Sequence, residues 1–318
     1  MTSQTVGVLV MSYGTPESMD QVEAYYTHIR RGRPPSPEQL QHLMNRYEAI
    51  GGFFPLRQNT NQQVEALQSF LDEETPKNGV RFRCFQGLKH ANPLIEEGVE
   101  AMAKAGLTKA IGIVLAPHYS TMSVGSYLQR AEAKAKEVGI EFIGVKSYHR
   151  HPQLIAAWAQ RVIDTLNQFE APVRSKVHIL FTAHSLPERI LKMNDPYPDQ
   201  LLATAQAIMD RIKLDNPWQL AWQSEGQTNE PWLGPDILDV LETLRKKEVR
   251  QVLVCPIGFV SDHLETLYDL DIEAKQKAEQ LGIDFKRPNA LNTDPRYIAA
   301  LADMVIKAYE GVLQHDPL

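Results

Sequence analysis

The chain has 318 residues, 43% hydrophobic and 23% charged, with a formal net charge of −6. That is room for two domains or one large α/β domain, and the acidic balance argues against general nucleic-acid binding. No apolar run reaches bilayer-spanning length, and Cys84 and Cys255 sit far apart in strand-like runs, which disfavours a disulfide framework or an iron–sulfur cluster. The N-terminus lacks the basic region and long apolar core of a signal peptide, so a cytoplasmic chain is expected.

The first predicted strand, Gly7 to Met11, ends in Ser12-Tyr13-Gly14. A helix through Tyr25, Tyr26 and His28 leads to a basic knot of Arg30, Arg31 and Arg33, closed by two prolines. Ser36-Pro37-Glu38-Gln39 is a helix start, with Ser as N-cap and Gln three residues on. That helix carries Arg46 and Tyr47 and stops at Gly51-Gly52, and another helix follows through Val64, Leu67 and Leu71. Further strands are expected at 80–85, 110–115 and 142–145, with helices from about Pro93, at 123–138 and at 152–169. The rhythm then repeats: strands at 177–181, 220–222, 252–255 and 283–285, with helices from about 199, at 236–247 and at 294–312.

Strands alternating with helices predict parallel sheets built from βαβ units. The expected fold is α/β, with two doubly wound (Rossmann-like) domains over 1–170 and 171–318, and the closing helix free to pack back on the first. In such folds ligands bind at the carboxyl ends of strands and in clefts between domains, so the active site is expected there. Tyr13, His90, His118, His184, Glu225 and His263 all fall at or beside such ends. His118-Tyr-Ser and His184-Ser look like counterparts in the two halves.

After the strand at 252–255 comes a polar turn with Asp262 and His263, then Glu265, Asp269 and Glu273 spaced four apart. That spacing lines them along one helix face, where like charges repel and a cation is attracted. Acidic residues on helices usually form a solvated face, so the strip needs a partner. His184 is the candidate: a neutral imidazole can accept a proton or ligate a transition metal. One imidazole with one carboxylate is too sparse for a structural zinc site and suits a metal that comes and goes. Arg30, Arg31, Arg33, Arg46, Tyr47 and Tyr127 form a basic and aromatic set that fits a flat ring with several carboxylates. Tyr13 is either a core phenol or an iron ligand. No Gly-rich phosphate loop follows a strand.

LVMSYGTP (9–16), YYTHIRRGR (25–33), RYEAIGG (46–52), GLKH (87–90), LAPHYS (115–120), TAHSLPE (182–188), DPYPDQ (195–200), WQSEG (222–226), WLGPD (232–236) and GFVSDHLETLYDLDIEA (258–274) run in order along the chain. With these motifs the sequence resembles the ferrochelatases, which insert ferrous iron into porphyrins, and most of all the coproporphyrin III ferrochelatases of Gram-positive bacteria.

The resemblance implies insertion of ferrous iron into coproporphyrin III, giving Fe-coproporphyrin III (coproheme) in haem biosynthesis. Chelation of protoporphyrin IX and a non-catalytic haem carrier are the other readings. By position, His184 and Glu265 form the inner metal site, and Asp269 and Glu273 extend it as an outer strip for a divalent cation. Tyr13 faces the other side of the macrocycle, and Arg30, Arg46, Tyr47 and Tyr127 hold the ring and its propionates. The expected partners are porphyrin, ferrous iron as substrate and transient haem-pathway enzymes. A monomer is expected, with no permanently bound cofactor, no nucleic acid and no integral membrane segment. Relatives carry Ser where this chain has Phe54, which removes one hydroxyl contact to a propionate.

Overall fold

A computed structural model describes residues 4–74, 79–226 and 228–312. Among these residues the strands form two four-stranded sheets in which every neighbouring pair runs parallel. The first holds β1 (Gln4–Ser12), β2 (Val80–Leu88), β3 (Lys109–Val114) and β4 (Glu141–Gly144), in the order β2-β1-β3-β4. The second holds β5 (His178–His184), β6 (Trp218–Gln223), β7 (Gln251–Cys255) and β8 (Asp284–Lys286), in the order β6-β5-β7-β8. This is the expected α/β architecture, and the two orders are the same. The counterpart of His184, which closes β5, is therefore Ser12-Tyr13 at the end of β1. His118 follows β3, the counterpart of β7, and is buried. The sequence likeness of His118 to His184 came from a shared dipeptide pattern, which carries no information on strand order.

The chain divides into two compact units. One runs from the N-terminus to Tyr148 and resumes at Thr293; the other is His149–Asn292. The division thus falls earlier than the expected 170. The helices are α1 (Val22–Ile29), α2 (Pro37–Ala49), α3 (Pro55–Glu74), α4 (Ile95–Lys104), α5 (Val124–Val138), α6 (Pro152–Leu166), α7 (Tyr197–Ile212) and α8 (Ile237–Lys246). Helix α6 buries Leu154, Ile155, Trp158 and Val162 and packs on α7 and β7, so it belongs to the second unit. A sequence break after 169 marks only where its periodicity ends.

Strands rich in Val, Ile and Leu, covered on both faces, give each unit its core. In the first, Leu9, Met11, Val99, Met102, Ala131 and Ala135 pack together. In the second, Leu180, Val240, Leu241, Val252, Val254 and Leu270 do. Each fully buried large aliphatic residue stabilises the fold by about 1.5–3 kcal/mol. Ser36 and Gln39 make the expected capping box at the start of α2.

The segment after β7 departs from expectation. Thr266–Ala274 is wound as a π-helix, which runs on into α9 (Lys275–Gln280). Leu270 and Ala274 are fully buried against the β7 side of the core, so the wide turn is fixed by packing. Such turns are frequent at functional sites, and no residue propensity announces them. Helix α10 (Pro295–Glu310) returns to the first unit and packs on α3 and β3. There the buried hydroxyls of Tyr297 and Tyr148 lie 3.2 Å apart.

Candidate active site

In the second unit the strand ends place the chemistry. His184 is the last residue of β5, and its Nδ1–H donates to the carbonyl of Ser185. That bond fixes the ring and leaves Nε2 facing Glu265 Oε1 at 3.5 Å. The second oxygen of Glu265 lies 3.4 Å from His263 Nε2, and His263 Nδ1 donates to the Ser261 carbonyl at 3.1 Å. Trp232 and Phe259 flank the His184 ring at centroid distances of 6.4 and 6.5 Å. The loop that carries His263 is tied by Thr266, whose hydroxyl accepts from the His263 amide at 2.9 Å.

The electrostatics favour an ion pair. Burial alone would pull the His184 imidazole down, but the carboxylate of Glu265, the Ser185 carbonyl and Asp269 raise it from 6.5 to about 9. Burial would push Glu265 up, but the two imidazoles hold it well below 4.5. At neutral pH and without metal the pair is imidazolium and carboxylate, with each side chain about one-third exposed (33% and 30%).

The acidic run continues behind it. Asp269 is buried and accepts a hydrogen bond from the hydroxyl of Ser224, a residue held at φ 61° beyond the end of β6. The Gln223 side-chain amide donates to the Glu265 backbone carbonyl at 3.3 Å. Glu273 is exposed. Burial pushes Asp236 up, and the nearby charges of Asp239, Glu225 and Glu273 push it further. The outer end of the run is thus a field of negative charge, which attracts a cation. Among the described residues no group of three or more His, Cys, Asp or Glu side chains is gathered to hold a metal.

In the first unit Tyr13 is 41% exposed and stacks on His90 at a centroid distance of 4.7 Å. His90 Nδ1 lies 3.0 Å from His28 Nδ1, so one ring must supply the proton between them. Burial, with the charges of Lys89, His28 and Arg130, drives His90 down to about 3, so it stays neutral. Lys89 is lowered to about 8 by burial and by Arg130 and Arg31; its Nζ donates to Ser126 Oγ at 2.8 Å and lies 4.8 Å over the Tyr127 ring. Gly14, at φ 84°, turns the chain after Tyr13, where a Cβ would stand 3.1 Å from the Ala91 amide nitrogen.

The structure thus gathers His184, Glu265 and Asp269, with Glu273 further along the same run. Arg30 sits over the Tyr26 ring at 5.7 Å, and Arg46 lies half-buried in the last turn of α2. Tyr47 and Tyr127 are buried, so neither presents an open ring. Tyr47 shares its hydroxyl with Thr15 at 3.0 Å and stacks on Phe54, while Tyr127 supports Lys89. Sequence reasoning missed Ser224, Gln223, Tyr197, Lys89 and the His28–His90 pair. The motifs YYTHIRRGR, GLKH, DPYPDQ and WQSEG contain these residues, and His90 was placed at a strand end, but nothing in them marks the contacts.

The same fold recurs among metal chelatases. SirB from Bacillus subtilis with Fe3+ superposes with a TM-score of 0.61, at 12% identity, covering 98% of this chain and 100% of that one. CbiX, described as the terminal enzyme of sirohaem biosynthesis in denitrifying bacteria, gives 0.54 at 13% identity, over 97% and 100%. The ferrochelatase family profile matches residues 5–309, and the chain belongs to that family. It is 44% identical over 309 residues to the coproporphyrin III ferrochelatase of Bacillus subtilis (strain 168), covering 96% of this chain and 99% of the relative. The corresponding protein of Geobacillus kaustophilus is 44% identical over 97% of this chain and 98% of its own length. A ferrochelatase of Herpetosiphon aurantiacus is 43% identical over 95% and 99%. No helix among the described residues is long and apolar enough to cross a membrane.

Proposed function

We propose that this chain inserts ferrous iron into coproporphyrin III, giving Fe-coproporphyrin III in haem biosynthesis. The observation that carries the reading is the His184–Glu265 pair, 3.5 Å apart at a strand end, in a chain that matches coproporphyrin III ferrochelatases over nearly its whole length.

A free porphyrin is close to flat and carries two inner N–H groups. Metallation exchanges two protons for one ferrous ion, so the enzyme must distort the ring, supply iron and take up protons. Distorting the ring part-way to the transition state is worth about 1–5 kcal/mol, drawn from binding elsewhere on the molecule. Arg30, Arg46 and Lys89 would hold the propionates, with Tyr13 on the ring face in the first unit. His184 and Glu265 begin as an ion pair. A ferrous ion that arrives at Glu265 removes the charge that keeps His184 protonated, so the imidazole proton leaves for solvent. The neutral imidazole can then accept one pyrrole proton as iron passes to the ring, and the second pyrrole proton leaves to solvent water. Asp269 and Glu273 would hold a divalent cation on the outer side. The reading includes a cytoplasmic monomer that meets neighbouring pathway enzymes in passing.

The test is anaerobic ferrous-iron insertion, followed by absorbance, with coproporphyrin III and protoporphyrin IX in parallel. Faster turnover of the tetracarboxylate is expected. Failure to metallate either porphyrin would overturn the reading. His184→Ala should lower kcat about 100-fold or more while coproporphyrin binding persists. Wild-type turnover in that variant would remove His184 from the mechanism.

A further inference from the structure

We infer that Arg287 is a positioning residue for the iron site: its guanidinium clamps the loop before His263 and the back of the π-helix, and thereby sets where Glu265, Asp269 and Glu273 stand. The inference deepens the iron-insertion reading and rests on it.

Arg287 follows β8, and its side chain is 4% exposed. Nε and Nη2 make a two-pronged contact with Asp271, at 2.6 and 2.5 Å. Nη1 donates to Asp262 at 2.9 Å and to the Pro288 carbonyl at 2.9 Å. One rigid fork therefore joins a residue just before His263 to a residue in the middle of the wide helix. Asp262 is itself fixed: its Oδ2 accepts from the Ala290 amide at 3.1 Å and the Asn292 side chain at 3.0 Å. The Asp262 amide in turn donates to Asn292 Oδ1 at 2.9 Å.

Asp271 lies two residues from both Asp269 and Glu273, so on a helix it faces away from the acidic run. Holding it from behind fixes the rotation of the helix about its axis, and holding Asp262 fixes where that helix begins. Both ends of the carboxylate run are then set by one side chain that does not belong to it. Groups that orient a metal ligand from behind typically change metal affinity by about 10–100-fold when they are replaced. A lysine keeps the charge but cannot bridge two carboxylates with a planar fork.

The experiment compares wild type with Arg287→Lys. It measures Zn2+ binding to the porphyrin-free protein by calorimetry, KM for ferrous iron, kcat, coproporphyrin affinity and melting temperature. Zn2+ affinity is expected to fall about tenfold, with a matching rise in KM for iron, while kcat and coproporphyrin affinity hold. Unchanged Zn2+ affinity despite a lower melting temperature would overturn the inference, as would metal and porphyrin affinity falling together. If Arg287→Lys does not fold, Asp271→Asn, which leaves the Asp262 contact in place, carries the same expectation and the same overturning results. The Zn2+ titration needs no turnover, so the clamp can fail while iron insertion stands, and the reverse.

Discussion

Tyr197, at the start of α7, donates its phenol hydrogen to the backbone carbonyl of His184 at 3.1 Å. That carbonyl belongs to the last residue of β5, where the sheet can no longer satisfy every group. The phenol is buried, 5.9 Å from the Trp222 ring, and burial pushes its own ionisation up. It is a prop beneath the imidazole. Tyr197→Phe leaves a buried carbonyl without this donor and should cost about 1–3 kcal/mol in urea unfolding. Iron insertion should fall with it, because His184 loses its fixed height. Unchanged stability and turnover would show the bond to be idle.

The ion pair gives the protein a pH signature. Folding raises His184 from 6.5 to about 9, so the folded chain holds this proton more tightly than the unfolded one. The stabilisation is full below pH 6.5 and disappears as pH rises through about 9. Glu265 is held below 4.5, so its share is present above that value and lost as pH falls beneath it. The melting-temperature gap between metal-free wild type and Glu265→Gln should be widest between pH 4.5 and 6.5 and close above 9. On the proposed mechanism a metal ion displaces the His184 proton, so Zn2+ binding at pH 7 should release about one proton, measured calorimetrically in buffers of different ionisation enthalpy.

Gly258 lies where the chain leaves β7, and its amide donates to the Thr182 carbonyl at 3.0 Å. A Cβ there would stand 2.7 Å from the Cα of Ala183, the neighbour of His184. Backbone on that side cannot move without shifting the imidazole. Gly258→Ala should destabilise by about 1–3 kcal/mol and slow insertion out of proportion to the stability lost. A stable, fully active variant would mean that the strand end yields more easily than its packing suggests.

Phe54 rests on Tyr47, with ring centroids 4.5 Å apart at 42°. The pair is worth about 0.5–1.5 kcal/mol beyond simple burial. Phe54→Ser, which restores the residue expected of relatives, should lose about that much stability and tighten coproporphyrin binding by adding a hydroxyl. Fluorescence titration checks the second half; unchanged affinity would show that this position does not reach a carboxylate.

The two sheets were legible because most strands are short apolar or alternating runs ending in a turn, and every one of the eight lies within a few residues of its expected place. Local pattern also marked His184 and Glu265, since both sit where a strand hands over to a loop or helix. What it could not show was pairing across the fold. Ser224 with Asp269 and Arg287 with Asp271 are joined by contacts that leave no period in the sequence. The π-turn was invisible for the same reason, because packing of Leu270 and Ala274 selects it. That Tyr47 and Tyr127 are buried was also not legible, because an aromatic residue beside arginines reads alike whether buried or open.

Helix α10 is the last of the described elements along the chain, yet it completes the unit that the chain begins. On a ribosome the unit that carries His184 and Glu265, His149–Asn292, is therefore whole while the earlier unit still lacks a wall. Until Tyr297 arrives, the Tyr148 hydroxyl has no partner from that helix, and the α3 and β3 surfaces it covers stay open to water or to a chaperone. A message cut short before Asp294 would thus yield a protein with His184 and Glu265 in place and an unfinished half.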